Sequence, residues 1–149
     1  MYVLIGGDRM EITANAIQTV NSHQDVLFSD IVSGCSTGCM YHRKGSGLVS
    51  LKGTTQQKRA RFRVSFNGNV AVPATETVGP ISLAIAVDGE AIPFGTMIAT
   101  PAAVSEYQNV SATIMVDVPR NCCETISVKN IDNEPMSIQN ANLVIERVA

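Results

Sequence analysis

The chain has 149 residues, of which 45% are hydrophobic and 16% are charged, and its formal net charge at pH 7 is −2. This composition suits one folded domain and excludes an intrinsically disordered chain. The charge balance excludes a protein that binds nucleic acid through an excess of positive charge. No apolar run approaches the roughly 20 residues of a membrane-spanning helix, so we expect no membrane partner.

Residues 1–12 combine a short apolar run with a glycine turn and a polar restart. The run is Tyr2, Val3, Leu4 and Ile5, and Gly6-Gly7 follows it. Either residues 1–12 form an arm that anchors the domain by pairing with a strand outside it, or they form an edge strand of the domain's own sheet. The domain itself is placed at residues 13–149. The first ten residues lack the basic start and long apolar centre of a signal peptide, which predicts synthesis in the cytoplasm.

The rest of the chain is predicted to form short strands separated by turn residues. The Asn67-Gly68 pair predicts a turn, and residues 102–106 are expected to form one helical turn. No longer segment has a helical period. The predicted strands cover residues 16–20, 26–31, 47–51, 59–66, 81–87, 96–100, 109–118, 125–129 and 136–148.

The chain is organised around the segment 79–93. Large apolar residues alternate there with Ser82, Ala84 and Ala86, and Asp88-Gly89 follows. A period of two predicts a strand with the large residues in the core, and Asp-Gly predicts a tight hairpin. The small residues on the other face predict that another subunit covers this face. The large residues are Ile81, Leu83, Ile85 and Val87.

Roughly eight to ten short strands at this spacing are typical of an all-β protein. The predicted fold is a two-sheet antiparallel sandwich, and the jelly roll is the favoured topology because eight strands are its normal complement.

The four cysteines allow three interpretations. Cys35, Cys39 and His42, with Cys122 or Cys123 as a fourth ligand, would form a tetrahedral zinc site. The spacing lacks the paired two-residue intervals of a convincing zinc motif, so we predict no metal and no cofactor. A disulfide is the second interpretation, and buried thiols that act as small hydrophobic side chains are the third and favoured one.

Catalysis has little support in the sequence. His23 and His42 are the only histidines, and neither follows a strand–turn–helix nucleophile motif. Asp25 lies two residues from His23, but in a turn such a pair is usually a surface contact. We therefore predict that the protein is not an enzyme.

Arg59, Arg61 and Arg63 form the one dense basic feature, and alternate positions on a strand share a face. Guanidinium groups in such a row can hold carboxylates or phosphates. The row is therefore a candidate contact with an acidic partner or another subunit. The alternative is a solvated sheet face that discourages edge pairing.

From residue 59 onward, the chain resembles the jelly rolls of tumour necrosis factor-like and complement globular-head proteins. The segments that carry the resemblance are RFRVSF (61–66), SLAIAVDG (82–89), ATIMVDV (112–118), ISV (126–128) and QNANLVIE (139–146). The ending LVIERVA is also similar to the head domains of collagen-like spore-surface glycoproteins. Small proteins of this pattern resemble structural proteins of bacteriophages of gut Firmicutes.

The resemblance implies a trimeric β-sandwich used for display, decoration or adhesion. It leads us to expect a virion structural protein, either a capsid decoration or a head-fibre protein, which is located on the virion surface after synthesis in the bacterial host. The expected partners are two further copies of the chain and the major capsid protein. The alternative is a receptor- or glycan-binding tip of a tail fibre or spore-surface protein.

Overall fold

The structure is a computed structural model that describes residues 9–34 and 38–149. These residues form eleven β-strands and no helix, and therefore no helix that could cross a membrane. In chain order the strands are β1 (Arg9–Ala14), β2 (Gln18–Val20), β3 (Asp30–Ser33), β4 (Met40–His42), β5 (Val49–Lys52), β6 (Arg59–Ala71), β7 (Ile81–Val87), β8 (Glu90–Ala99), β9 (Gln108–Pro119), β10 (Cys123–Asn130) and β11 (Met136–Arg147).

The strands form two antiparallel sheets. Sheet A has the order β3-β1-β11-β6-β9, with β2 paired to the start of β11. Sheet B has the order β4-β5-β10-β7-β8. The prediction of a two-sheet antiparallel sandwich is therefore confirmed.

The core lies between the two sheets. In β6, apolar residues that point into this core alternate with polar residues that point to solvent. Phe62 and Phe66 are buried, whereas Arg61 and Arg63 are exposed. Phe66 meets Phe28 edge to face, with ring centroids 6.5 Å apart. Such pairs of aromatic rings add to the stabilisation that comes from burying apolar area.

The predicted hairpin after β7 is present, because Asp88 and Gly89 both have positive φ, 53° and 83°. Strand β8 is longer than predicted and contains Pro93. Four residues, 92–95, bulge opposite the single residue Ile85, and this bulge accommodates the proline. A Cβ on Gly95 would lie 3.3 Å from the Ile85 Cβ, so the bulge is pressed against the core.

Three local predictions are wrong. Residues 26–29, predicted to lie in a strand, form none, and β3 begins at Asp30. The turn predicted at Asn67-Gly68 is instead the interior of β6, because β9 pairs with both residues and keeps the strand extended. Residues 102–106 form bends and a turn, not a helical turn. At Asn67-Gly68, the pairing of β6 with β9 outweighs the local preference of the two residues for a turn.

The N-terminal boundary also differs from the sequence interpretation. Strand β1 pairs with β11 and with β3, and its Met10 and Ile12 are buried. Residues 9–12 therefore belong to sheet A. The anchoring arm stays a prediction for the residues before Arg9, and Tyr2, Val3, Leu4 and Ile5 lie outside the described residues.

Candidate interaction surfaces

The arginine row is on the exposed face of sheet A, as the alternation of β6 predicts. Arg61 donates from Nε to Asp117 Oδ1 at 2.7 Å and from its Nη2 to Oδ2 at 3.2 Å. Arg59 lies 3.6 Å from the same carboxylate, and Arg63 donates to Glu146 Oε1 at 3.1 Å. The three cations thus lie against two carboxylates of the neighbouring strands β9 and β11, and Arg59 and Arg61 share one of them.

These contacts change the acid–base properties of the row. The pKa of Asp117 is lowered, mainly by the hydrogen bonds from Arg61, and partial burial opposes this effect. The same contact raises the pKa of Arg61. Each partner therefore favours the charged form of the other.

Uncharged pairs extend this surface along β6. Ser65 and Thr113 share a hydrogen bond of 3.0 Å between their hydroxyl groups. The Asn109 amide donates to Asn67 Oδ1 at 2.7 Å and to Asn69 Oδ1 at 3.2 Å. The exposed face of sheet A, which we call the paired face, is therefore a surface whose polar groups bind one another across strands.

The small-residue face of β7 has less exposure than the sequence suggests. Ala84 and Ala86 are fully buried in the single chain, and Ser82 is half-buried. Lys129 pairs with Ala84 across the sheet, and its Nζ donates to the Gly89 carbonyl at 2.9 Å. Its aliphatic stem therefore lies on this face, where it covers apolar surface.

The adjacent edge strand β8 has exposed apolar side chains, which the small-residue face of β7 does not have. Phe94 is 73% exposed and Ile98 is 67% exposed. Ile98 pairs with Ser82. The sequence interpretation did not identify these two residues, because alternation alone does not show which face of a strand is left uncovered.

The described residues of the hypothetical zinc site do not come together around a common point. The Nδ1 and Nε2 atoms of His42 lie 3.0 Å from the Leu48 carbonyl and 3.3 Å from the Phe28 carbonyl. Cys39 is buried, whereas Cys122 and Cys123 are exposed free thiols. Among the described residues, no three metal-binding side chains come together. Cys35 lies outside the described residues.

The residues considered for catalysis are likewise engaged elsewhere. Asp25 interacts with Lys129 and Ser127, and burial is the main cause that raises its pKa. A cavity of about 620 Å³ lies at one end of the sandwich. The buried Arg147 in its wall donates to the Thr54 carbonyl at 2.7 Å and to the Ala149 carbonyl at 3.1 Å. This arginine fastens a loop to the end of the chain.

A carboxyl pair that the sequence analysis did not identify lies beside the β7–β8 turn. Glu124 and Asp88 are hydrogen-bonded to each other, and this contact, then burial and charge repulsion, raises the pKa of Glu124 to about 7. The pKa of Asp88 is lowered by the same hydrogen bond and by the Thr125 amide, which donates to it at 2.8 Å. The two carboxyls therefore share one proton below neutral pH.

No protein-family model and no curated protein matches the sequence. Solved structures do match. The globular domain of zebrafish complement 1qA has a TM-score of 0.63 at 11% identity, covering 95% of each chain. Eiger TNF from S. frugiperda has a TM-score of 0.69 at 7% identity, covering 95% of this chain and 92% of that one.

The PRD1 vertex protein P5 matches with a TM-score of 0.51 at 11% identity, covering 96% of this chain and 98% of that one. None of these proteins is named as an enzyme. At such identities the likeness shows the fold alone, and it confirms the topology that the sequence predicts. The chain has the tumour necrosis factor-like jelly-roll fold that the complement 1q globular domain shares.

Proposed function

We propose that this protein is a structural component of a bacteriophage virion, which forms a homotrimer and decorates the capsid or builds a head fibre beside the major capsid protein. The observation that carries the proposal is the match along nearly the whole of both chains to a vertex protein. The paired face supports this role, because its polar groups are already bonded to one another and the face can be covered by another protein.

The paired face is the proposed contact between subunits. Arg61 and Arg63 are matched by Asp117 and Glu146, so only Arg59, which shares Asp117, needs a further counter-ion when the face is buried. Burial of an unmatched charge would cost several kcal/mol. Met115, which is 43% exposed, adds apolar area to the same face. The small residues of β7 no longer support a subunit contact, because Ala84 and Ala86 are buried within one chain.

Light scattering of the purified protein tests the trimer. The expected mass is three times the 15.9 kDa of one chain. Met115→Lys should shift the protein towards monomer, because it adds a cation directly opposite Arg63 on the paired face. Ile98→Lys is the matched control, since Ile98 is exposed on the other sheet, and it should leave the trimer intact. A monomer at micromolar concentration would refute the trimer.

A receptor- or glycan-binding tip is the second candidate, and the exposed Phe94 and Ile98 favour it, because exposed apolar pairs often mark binding sites. Negative-stain images of particles with this chain labelled separate the two functions. Label distributed over the head supports the decoration or head-fibre role. Label confined to the tail tip refutes that role and supports the second candidate.

A further inference from the structure

Cys122 and Cys123 form a pair of exposed free thiols where the turn after β9 leads into β10. Both residues line the same cavity of about 300 Å³, although consecutive residues of a regular strand point to opposite faces. Asn121, just before the pair, has a φ of 61°, and β10 begins only at Cys123. The turn therefore brings two thiol residues to one cavity.

Backbone hydrogen bonds fix the wall of this cavity. The Gly53 amide donates to the Cys122 carbonyl at 3.0 Å, and the Asn121 amide donates to the Gly53 carbonyl at 3.2 Å. The Cys122 amide donates to the Pro119 carbonyl at 3.0 Å. A Cβ at Gly53 would collide with the Pro119 carbonyl oxygen, so only glycine lets the loop after β5 lie this close to the turn. The cavity thus lies between two segments that are bonded to each other.

Lys52 supplies a positive charge beside Cys123. The two residues are direct cross-strand partners in β5 and β10, so their side chains share a face of sheet B. Lys52 is exposed and also lines the cavity. A cation at this position attracts anionic reagents towards the thiol. Cys122 is less favourably placed, because its Sγ donates back to the Cys123 carbonyl at 3.7 Å.

We propose that Cys123 is a site of reversible modification, at which a small anionic thiol is bound as a mixed disulfide. The Cys123 thiol loses its proton to solvent, and its thiolate attacks one sulfur of a small anionic disulfide. A bond forms between Cys123 Sγ and that sulfur, and the disulfide bond of the reagent breaks. The second sulfur of the reagent leaves as a thiolate and takes up a proton. The Cys123 sulfur is thereby oxidised, and the leaving sulfur is reduced.

The mixed disulfide is expected to persist, because Cys122 is too close in the chain to displace the bound thiol easily. The Cα atoms of consecutive residues are about 3.8 Å apart, below the roughly 4.4 Å at which the range of ordinary disulfides begins. A disulfide between Cys122 and Cys123 would therefore strain the turn. The cavity of about 300 Å³ has the volume of a small ligand pocket, so a small thiol fits it.

Such a modification would cap an exposed nucleophile. Without it, the thiol could link two copies of the chain through a disulfide in an oxidising environment. The inference goes beyond the proposed function and does not depend on it, because it concerns the chemistry of one subunit.

Incubation of the full-length protein with glutathione disulfide, followed by mass analysis of the intact chain and of its peptides, tests the inference. We expect a glutathionyl group on Cys123 that dithiothreitol removes. Cys123→Ser should lower the modification of the 122–123 pair at least about 10-fold, whereas the matched control Cys122→Ser should keep at least about half of the rate. Circular dichroism checks that both variants fold.

Three results would overturn the inference. The first is the absence of an adduct on Cys123. The second is modification that is lost in Cys122→Ser and kept in Cys123→Ser, which would assign the site to the other thiol. The third is a disulfide-linked dimer, or a disulfide between Cys122 and Cys123, as the main product.

Lys52→Glu tests the preference for an anionic thiol. It should slow the reaction with the anionic glutathione disulfide at least about 3-fold, and it should speed the reaction with cystamine, a cationic disulfide. An equal change of rate with both reagents would show that Lys52 does not act through its charge, and would overturn this preference.

Discussion

Arg61 and Asp117 form a two-point ion pair across β6 and β9, with Nε–Oδ1 and Nη2–Oδ2 distances of 2.7 and 3.2 Å. The two residues are direct cross-strand partners. An exposed pair of this kind contributes little to the stability of one subunit, because water screens both charges. Its importance is that neither Arg61 nor Asp117 is left without a counter-ion when the paired face is buried.

Asp117→Arg is therefore expected to weaken the trimer while the subunit stays folded. The substitution places another cation beside Arg59 and Arg61, and like charges at a contact oppose association. Circular dichroism should show an unchanged strand signal, and light scattering should show monomer at a concentration where the unaltered chain is trimeric.

The charge-swapped double variant Arg61→Asp/Asp117→Arg is the control for the Asp117→Arg prediction. It restores an ion pair between the same strands, so it should recover most of the trimer. If single and double variants dissociate equally, the pair has no part in assembly.

Leu83→Asp is expected to abolish folding, whereas Ser82→Asp should preserve it. Leu83 is 1% exposed in the core, and an unpaired charge there costs several kcal/mol against a total stability of about 5–15 kcal/mol. Ser82 is half-buried on the outer face and has solvent access. Circular dichroism melts of the two variants measure the ranking, and the reverse ranking would contradict the burial pattern of β7.

The sequence could predict which residues of β6, β7, β9 and β11 point into the core. Large apolar residues alternate with other residues within each of these strands, and this period of two is a local signal. The burial of Ala84 could not be predicted, because it depends on long-range strand pairing, and its partner Lys129 is more than forty positions away in the chain. The anion partners of the arginine row were hidden for the same reason. Asp117 reaches Arg61 only through the pairing of β6 with β9.

The carboxyl pair predicts a pH dependence of stability. The pKa of Glu124 is raised from 4.5 to about 7 in the folded chain. The folded state therefore binds this proton more tightly than the unfolded state, so stability falls as pH rises from about 4.5 to about 7. Asp88, whose pKa is lowered, contributes a slope of the opposite sign at lower pH.

Glu124→Gln should remove the loss of stability between pH 5 and pH 8. The amide can still donate a hydrogen bond to Asp88, but it cannot become a second negative charge. Melting temperatures at the two pH values measure the change, and Glu90→Gln on the same hairpin is the control. Parallel pH profiles of Glu124→Gln and the unaltered chain would refute this assignment.

Chelation is expected to leave the melting temperature unchanged. The ring nitrogens of His42 face the carbonyls of Leu48 and Phe28, which fixes the imidazole without a metal. A structural zinc site would contribute on the order of 10 kcal/mol, so EDTA would unfold a protein that depended on it. Stoichiometric zinc in elemental analysis, or a lowered melting temperature in EDTA, would contradict the prediction that the fold depends on no metal.

Asn130 is the buried polar residue whose loss should be most costly. It is fully buried, and its amide nitrogen donates to the Val20 carbonyl at 3.0 Å and to the Glu134 carbonyl at 2.9 Å. Its Oδ1 accepts from the Asp132 amide at 2.8 Å. One side chain thus joins β2, β10 and the β10–β11 turn.

Asn130→Leu is expected to lower the free energy of unfolding by about 2–4 kcal/mol, because an apolar side chain of similar size leaves two carbonyls and one amide without their partner. Asn130→Asp should cost at least as much, since its carboxylate would face the Val20 and Glu134 carbonyls. Urea unfolding measures the change. Asn133→Ala is the matched control, because Asn133 is exposed in the same turn, and it should change the free energy by less than about 0.5 kcal/mol. Equal stabilities of the Asn130 and Asn133 variants would show that the β10–β11 turn does not depend on this network.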